Sequence, residues 1–343
     1  MRYVSLAGEV PKLSVLGLGC AAMMGSAGRR ESLAALHAAC DAGINFFDTA
    51  RSYGYGAGEG LLGEFCAGRR DRVVLCTKFG ILPAPRSWKQ SIKPLARSAL
   101  RLFPGLRDAA RRQAPEPQSN QFSVGVLRSS LETSLHELRT DYVDLLLMHA
   151  APMSVLAQDD LLLELERVVA QGKVRLAGIS GGPEVIAATL AQRPAVLRTA
   201  QFGCDVANFG FLERIGGDEE HPRMLLVGNH PFGGASGIGE TRRRIAELAR
   251  DAALAEDLRA KLDLADPQLL PEVILNAILT GTGVDVIVPA MIQPKHLESN
   301  CRAIANCRFN PTELGQLRHA LASARSDRFM DATATSTDPP AAG

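Results

Sequence analysis

The chain has 343 residues, 46% of them hydrophobic, and a formal net charge of +1 at pH 7. That length supports a large core in one or two domains, and near-neutrality argues against wholesale affinity for nucleic acid or a membrane surface. No run approaches the roughly 18 apolar residues of a membrane span, and the opening MRYVSLAGEV lacks a signal-peptide hydrophobic region.

A turn-like Gly8-Glu9 between Tyr3–Leu6 and Lys12–Val15 predicts a hairpin. After it, strand-like and helix-like segments alternate. Leu16–Cys20 precedes a helix over about Arg30–Ala42, and Asn45–Asp48 precedes one over Glu59–Phe65. Val73–Lys78 is followed, after an interruption, by a helix over Val124–Leu138, and Val143–His149 by a helix over Asp160–Gln171. Val174–Ser180 leads to Pro183–Gln192, and Val196–Gln201 to a short segment of no clear period. Met224–Gly228 and Asp285–Val288 complete eight strands, the last followed by a helix from Pro294 to about Ala305. Eight βα units favour a closed (β/α)8 TIM barrel over an open sheet, with the hairpin capping its floor. The expected domain is residues 1–325, and the small, polar, proline-bearing stretch 326–343 reads as a disordered tail.

Residues 83–120 break the pattern with eight basic residues against two acids, and hold the only tryptophan, Trp88. An insertion of this length leaves the third barrel strand on the side where such folds place their chemistry. It predicts one or two short amphipathic helices over the mouth, with Trp88 and Phe103 inward and arginines facing an anionic or carrier-bound substrate; a solvated basic loop is the plainer alternative, and contact with anionic lipid a third.

Polar residues stand where apolar runs end: Asp48 after Ile44–Phe47, Lys78 after Val73–Cys76, His149 after Leu145–Met148, with Tyr53 shortly beyond Asp48. An acid, a phenol, an amine and an imidazole at the carboxyl ends of parallel strands suggest proton-transfer machinery. A phenol acting as an acid near neutral pH calls for a neighbouring cation, which Lys78 would supply, with Asp48 holding Lys78 protonated. Neutral His149 would donate to a substrate oxygen. Read singly, Asp48 and Lys78 also fit a structural ion pair, His149 a core histidine, and Tyr53 a loop aromatic for which Tyr55 is a substitute.

Gly43–Ala50 followed by Tyr53-Gly54, Thr77-Lys78, Leu131–His149 and Gly172–Arg175 leading to Gly178-Ile179-Ser180 together resemble the aldo-keto reductases over nearly the whole chain. The resemblance implies a TIM barrel that reduces aldehydes and ketones with NADPH or, less often, NADH. It puts the catalytic tetrad on Asp48, Tyr53, Lys78 and His149. Cofactor contacts implied by position are Ser180, the carboxamide-binding Gln201, Pro231 and Gly233 in the loop after strand seven, Lys295 and His296 beside the adenosine, and Asn300 against adenine. Two positions depart from the family: Gly181 stands where Asn usually follows Ser, and Asn229 where an aromatic residue stacks on the nicotinamide, with His230 or Phe232 as replacements for that ring. Those departures keep open a non-redox lyase, dehydratase or epimerase using the same Tyr, Lys and His. The Gly233–Gly237 stretch reads as a loop whose backbone can approach a pyrophosphate, whereas Gly58-x-Gly60-x-x-Gly63 lies too far past its strand for a dinucleotide fingerprint.

The seven cysteines are scattered without a Cys-x-x-Cys pair, and the remaining histidines have no clustered companions, so no metal site is expected. With no leader or membrane span to read, the expectation is a cytoplasmic protein with reduced core thiols.

Overall fold

Period-two alternation divides each apolar strand between the barrel axis and the surrounding helices. The computed structural model describes residues 1–5, 10–84, 117–215 and 224–323. Eight parallel strands stand side by side in chain order: β3 (Leu18–Gly19), β4 (Phe46–Asp48), β5 (Val74–Phe79), β6 (Val143–Met148), β7 (Val174–Ser180), β8 (Leu197–Gly203), β9 (Leu225–Asn229) and β10 (Val286–Val288). Closure comes just before β3. Leu16 forms a parallel bridge with Ile287, whose N–H donates to Val15 O at 2.9 Å, while Gly17 N donates to Ile287 O at 2.8 Å. The sheet thus returns on itself as a (β/α)8 barrel.

The antiparallel pair β1 (Tyr3–Val4) and β2 (Leu13–Ser14) is the expected hairpin; its turn lies outside the described residues. It docks at the amino ends of the strands, where the Asn45 side chain accepts from Ser14 N and donates to Lys12 O. Val10 and Leu13 there join the inward residues Phe46, Val74, Leu145, Leu176, Leu225 and Val286 in a core of their own. The outward residues Phe47, Leu75, Leu146, Ala177 and Ala200 belong to the larger core beneath the helices. Filling from below leaves only the carboxyl end open to polar groups.

Between strands run α1 (Arg29–Asp41), α2 (Gly58–Cys66), α3 (Val124–Leu138), α4 (Asp159–Ala170), α5 (Pro183–Gln192) and α6 (Phe209–Ile215). Beyond β9 come α7 (Gly234–Leu248), α8 (Glu256–Ala260) and α9 (Leu269–Leu279), and after β10, α10 (Pro294–Ala305) and α11 (Pro311–Ser323). The stretch from Gly233 to Gly237, expected as a loop, is instead the cap and first turn of α7. Gly233 and Gly234 take left-handed φ values of 61° and 70°, and three further small residues open the helix. Its stability comes from later residues: Ile245 and Leu248 are buried and Arg244 donates to Leu321 O at 2.9 Å.

Residues 85–116, the bulk of the basic insertion with Trp88 and Phe103, and 324–343 lie outside the described residues. The insertion's two ends are described. Leu82 and Gln118 form an antiparallel bridge, and Gln121 N donates to Gly80 O at 2.9 Å. Both ends therefore leave from the carboxyl end of β5.

Gly63, the last glycine of the discounted fingerprint, has a packing role. A Cβ there would lie 2.3 Å from Glu137 O and 2.7 Å from Leu138 C, so α2 meets the end of α3 through bare backbone. Gly63→Ala should destabilise the protein by about 2 kcal/mol, read as a lower urea midpoint at unchanged slope. A variant as stable as the parent would show that the two helices separate at no cost.

Candidate active site

Strand register turns the inward alternation into a site. Asp48 ends β4, Lys78 lies near the end of β5, His149 follows β6, Ser180 ends β7, and Gln201 in β8 is the register partner of Ser180. Asp48, Lys78, Ser180 and Gln201 are all buried. Lys78 Nζ donates to Asp48 Oδ1 at 2.6 Å and to Thr49 O at 2.9 Å, and lies 3.5 Å from Tyr53 Oη. The Tyr53 and His149 rings meet edge-on, with centroids 5.7 Å apart and an interplanar angle of 82°. The four residues singled out from strand ends therefore occupy one cluster.

Charge in that cluster follows from burial. Burial by itself would strip the proton from Lys78, but Asp48, with a smaller contribution from Tyr53, outweighs it and holds the amine above its ordinary pKa. Burial also dominates at Tyr53. It raises the phenol's pKa, Lys78 pulls it down, and the net direction is upward. Lys78 thus acts on the phenol in the expected direction, but burial, which the sequence did not show, outweighs it. Asp48, 2.6 Å from the amine, offsets part of the Lys78 effect on the phenol, and burial accounts for the rest of the upward shift. His149 is pushed down to about 4, by burial first and by Lys78 second, so the ring is neutral at pH 7. Its Nδ1 is shut in without a partner. The proton on Nε2 is the assignment that leaves no buried N–H unpaired. Cys20 and Cys76, both fully buried, are raised by burial and then by Asp48, so they are neutral thiols.

A second layer, not evident in the sequence, fixes the loop that carries Tyr53. Tyr53 N donates to Ala50 O, and the one-turn helix Tyr53–Gly56 contains left-handed Gly54 and Tyr55. The buried Glu59 at the start of α2 accepts from Thr77 Oγ1 at 2.6 Å and pairs with Arg51. Thr77 precedes Lys78 and Arg51 stands two residues before Tyr53, so one carboxylate ties the tyrosine loop to the lysine strand. Tyr55, the substitute weighed above, is 48% exposed and has no hydrogen bond to Lys78.

The remaining sequence-derived positions lie along one arc of the rim. Ser180 Oγ donates to Gln201 Oε1 at 3.0 Å, and Gln201 Nε2 donates to Asp48 Oδ1 at 3.0 Å. Gly181 has no room for the asparagine side chain of the family pattern, since a Cβ there would lie 2.4 Å from Val185 Cγ1. Asn229 is half-buried, His230 is exposed in a left-handed conformation (φ 51°), and Phe232 packs against the outer core. Pro231 is buried, and Gly233 caps α7, whose first N–H groups and dipole suit an anion. Asp205 opposes that field: its Oδ2 lies 2.7 Å from where a Cβ of Gly233 would be. Lys295 and His296 are exposed in the first turn of α10, and Asn300 is buried one turn on. These three are not joined to the Asp48 cluster by any hydrogen bond. Among the described residues no group of three or more His, Cys, Asp or Glu is placed to hold a metal ion, and no helix is long and apolar enough to cross a membrane.

The Aldo/keto reductase family matches residues 15–198. An aldo-keto reductase of Bacillus subtilis is 30% identical over 186 residues, 52% of this chain and 47% of the relative. The 6-dehydroglucose reductase of Novosphingobium aromaticivorans is 32% identical over 236 residues, 66% of this chain and 64% of the relative. The chain thus spans roughly half to two thirds of the length of these curated relatives. Among solved structures, an aldo-keto reductase of Bacillus halodurans in its holo form is 21% identical with a TM-score of 0.67, covering 94% of this chain and 96% of that one. A likeness at that identity concerns the fold.

The depressed His149 has a consequence for stability. Its folded pKa of about 4 lies below the ordinary histidine value of 6.5, so the unfolded chain binds the proton first. The contribution is complete above about pH 6.5 and is lost as pH falls toward 4. His149→Gln should therefore flatten the decline in urea midpoint between pH 7 and pH 4.5. An unchanged decline would mean that His149 titrates normally in the folded protein.

Proposed function

The chain belongs to the aldo-keto reductase family, and from that premise we propose that it reduces an aldehyde or ketone to an alcohol, with NADPH or NADH as hydride donor and Tyr53 as proton donor. One observation carries the reading: a protonated lysine bridges a buried carboxylate and a phenol, beside a neutral imidazole, on the inner rim of the barrel. The relative named for the reduction of 6-dehydroglucose supports a small-molecule carbonyl compound as the substrate class.

The residues present fit a nicotinamide dinucleotide along the rim arc. The opening turns of α7 and α10 offer N–H groups to phosphate oxygens, Lys295 and His296 offer positive or polar groups beside the second, and Ser180 and Gln201 offer an amide-binding pair near the tetrad. Bound there, the cofactor supplies hydride. The chain supplies everything else. His149 Nε2 donates to the carbonyl oxygen, orienting it and stabilising the charge that develops there. Tyr53 Oη delivers its proton to that oxygen. An alkoxide is a far stronger base than a phenolate, so the transfer is downhill even from a phenol whose pKa burial has raised. Lys78 stabilises the phenolate that remains, and Asp48 keeps Lys78 charged.

Tyr53→Phe should abolish turnover while leaving cofactor affinity within about threefold of the parent, because the proton is needed only as the alkoxide forms. Lys78→Met should be comparably damaging. A Tyr53→Phe enzyme with parental turnover would remove Tyr53 from the mechanism.

A second reading has specific support in Val185 filling the space beside Gly181 and in Gln201 being engaged by Asp48. Both reduce what is left for a nicotinamide amide, and the same Tyr, Lys and His would serve a non-redox proton transfer. Titration with NADPH and NADH, followed by fluorescence of the reduced ring, separates the two. Binding tighter than millimolar supports the reductase; its absence supports the alternative. On the reductase reading NADPH is preferred by about tenfold, about 1.4 kcal/mol. Lys295→Ala should then weaken NADPH more than NADH, and equal losses would show that Lys295 does not meet the 2′-phosphate.

A further inference from the structure

Gln201 is one of the least accessible polar side chains in the barrel, at 0% exposure, and both ends of its amide are used. Its orientation is fixed by its neighbours. An ionised Asp48 accepts only, so the amide group 3.0 Å from Oδ1 must be the NH2, and the carbonyl then faces the Ser180 hydroxyl. The flipped amide would set two oxygens against each other. Asp48 Oδ1 therefore receives two donors, Lys78 at 2.6 Å and Gln201 at 3.0 Å.

We propose that Ser180 and Gln201 form a positioning relay for the proton donor: Ser180 fixes Gln201, Gln201 fixes and partly neutralises Asp48, and Asp48 thereby leaves more of the Lys78 charge to act on Tyr53. This deepens the reading that Tyr53 gives the proton and rests on it for the kinetic part. The chain of contacts is continuous: Ser180 Oγ to Gln201, Gln201 to Asp48, Asp48 to Lys78, and Lys78 to Tyr53 Oη at 3.5 Å. Its physical basis is competition for one carboxylate oxygen in a site where water is excluded and dipoles act strongly. An amide donor on Asp48 reduces the negative field that reaches the phenol, and that field raises the phenol's pKa. The relay also crosses the barrel, since β8 with Gln201 and β4 with Asp48 stand four strands apart in the ring of eight. The rim arc beside Ser180 is in this way wired to the acid.

The test compares Gln201→Leu, Ser180→Ala, Asp48→Asn and the double variant Asp48→Asn/Gln201→Leu with the parent. If Gln201 works through Asp48, Gln201→Leu lowers kcat at saturating NADPH by about 10- to 100-fold, over and above any loss of NADPH affinity from the amide-binding pair. The alkaline limb of its pH profile moves upward by about half a unit, because the phenol is less acidified. Ser180→Ala, the milder variant, moves both quantities in the same direction by less. A Gln201→Leu variant with parental kcat and NADPH binding weakened more than about tenfold would overturn the relay and leave Gln201 as a cofactor ligand alone.

A second readout needs no activity. In urea unfolding, Gln201→Leu should cost much less in the Asp48→Asn background than in the parent, because the contact it breaks has already been altered. Additive losses would overturn the relay even if the chain reduced carbonyls. Coupled losses in a chain that binds no nicotinamide would keep the contact and reject only the reductase reading. Should Gln201→Leu fail to fold, the same cycle with Ser180→Ala and Asp48→Asn decides, with coupling expected and additivity contrary.

Discussion

An ammonium group cut off from water survives only beside a carboxylate, and in this barrel Lys78 and Asp48 meet that condition 2.6 Å apart. Removing either partner would leave the other as a lone buried charge, a loss of about 3–5 kcal/mol in comparable pairs. Position, protonation and chemistry at the rim all trace back to this contact. The neighbouring strands β4 and β5 carry the two residues, Asp48 level with Cys76 and Lys78 two residues further on, and the hairpin with its apolar companions fills the barrel beneath them. Neighbouring groups then attach to the pair from two directions. Glu59 anchors the tyrosine loop to β5 through Thr77 and Arg51, and Gln201 reaches Asp48 from β8.

Burial acts on every titratable group in the cluster, and the signs differ in a way that suits an acid held in reserve. Lys78 keeps its proton because Asp48 overrides burial, His149 loses its own to burial and to Lys78, and Tyr53 retains its own more firmly than a free tyrosine. At neutral pH the cluster thus holds one ammonium, one carboxylate, a neutral ring and an intact phenol. Such a site delivers a proton only when a strong base forms against the phenol. That demand matches an alkoxide and is poorly matched to abstraction of a proton by a resting phenolate.

Much of this was legible in the sequence, for identifiable reasons. Strands flanked on both sides by apolar layers read as apolar runs, and β6 is found at Val143–Met148, within the stretch that this signal predicted. Asp48, Lys78 and His149 were visible because a polar residue directly after such a run is costly without a use. Helix α7 was not legible: it opens with Gly-Ala-Ser-Gly and earns its stability from Ile245 and Leu248 far downstream. Helix α9 was hidden for the opposite reason. Buried on nearly all sides, Leu269–Leu279 shows no amphipathic period and carries Pro271 in its first turn. The Gln201–Asp48 contact depends on barrel closure and strand register, and no local pattern encodes a pairing across 153 positions. Glu59 reads in the sequence as an ordinary first-turn acid of a helix, and only tertiary packing shows that it is buried.

The most direct test of hydride transfer with protonation by the chain uses NADPH carrying deuterium at the transferable position of the reduced ring, incubated with the protein and a panel of small aldehydes and ketones. The account predicts an alcohol with one deuterium on the former carbonyl carbon, detected by mass spectrometry, and no such product from Tyr53→Phe. Turnover that yields an isomerised or dehydrated product of unchanged oxidation state, without deuterium, would contradict it.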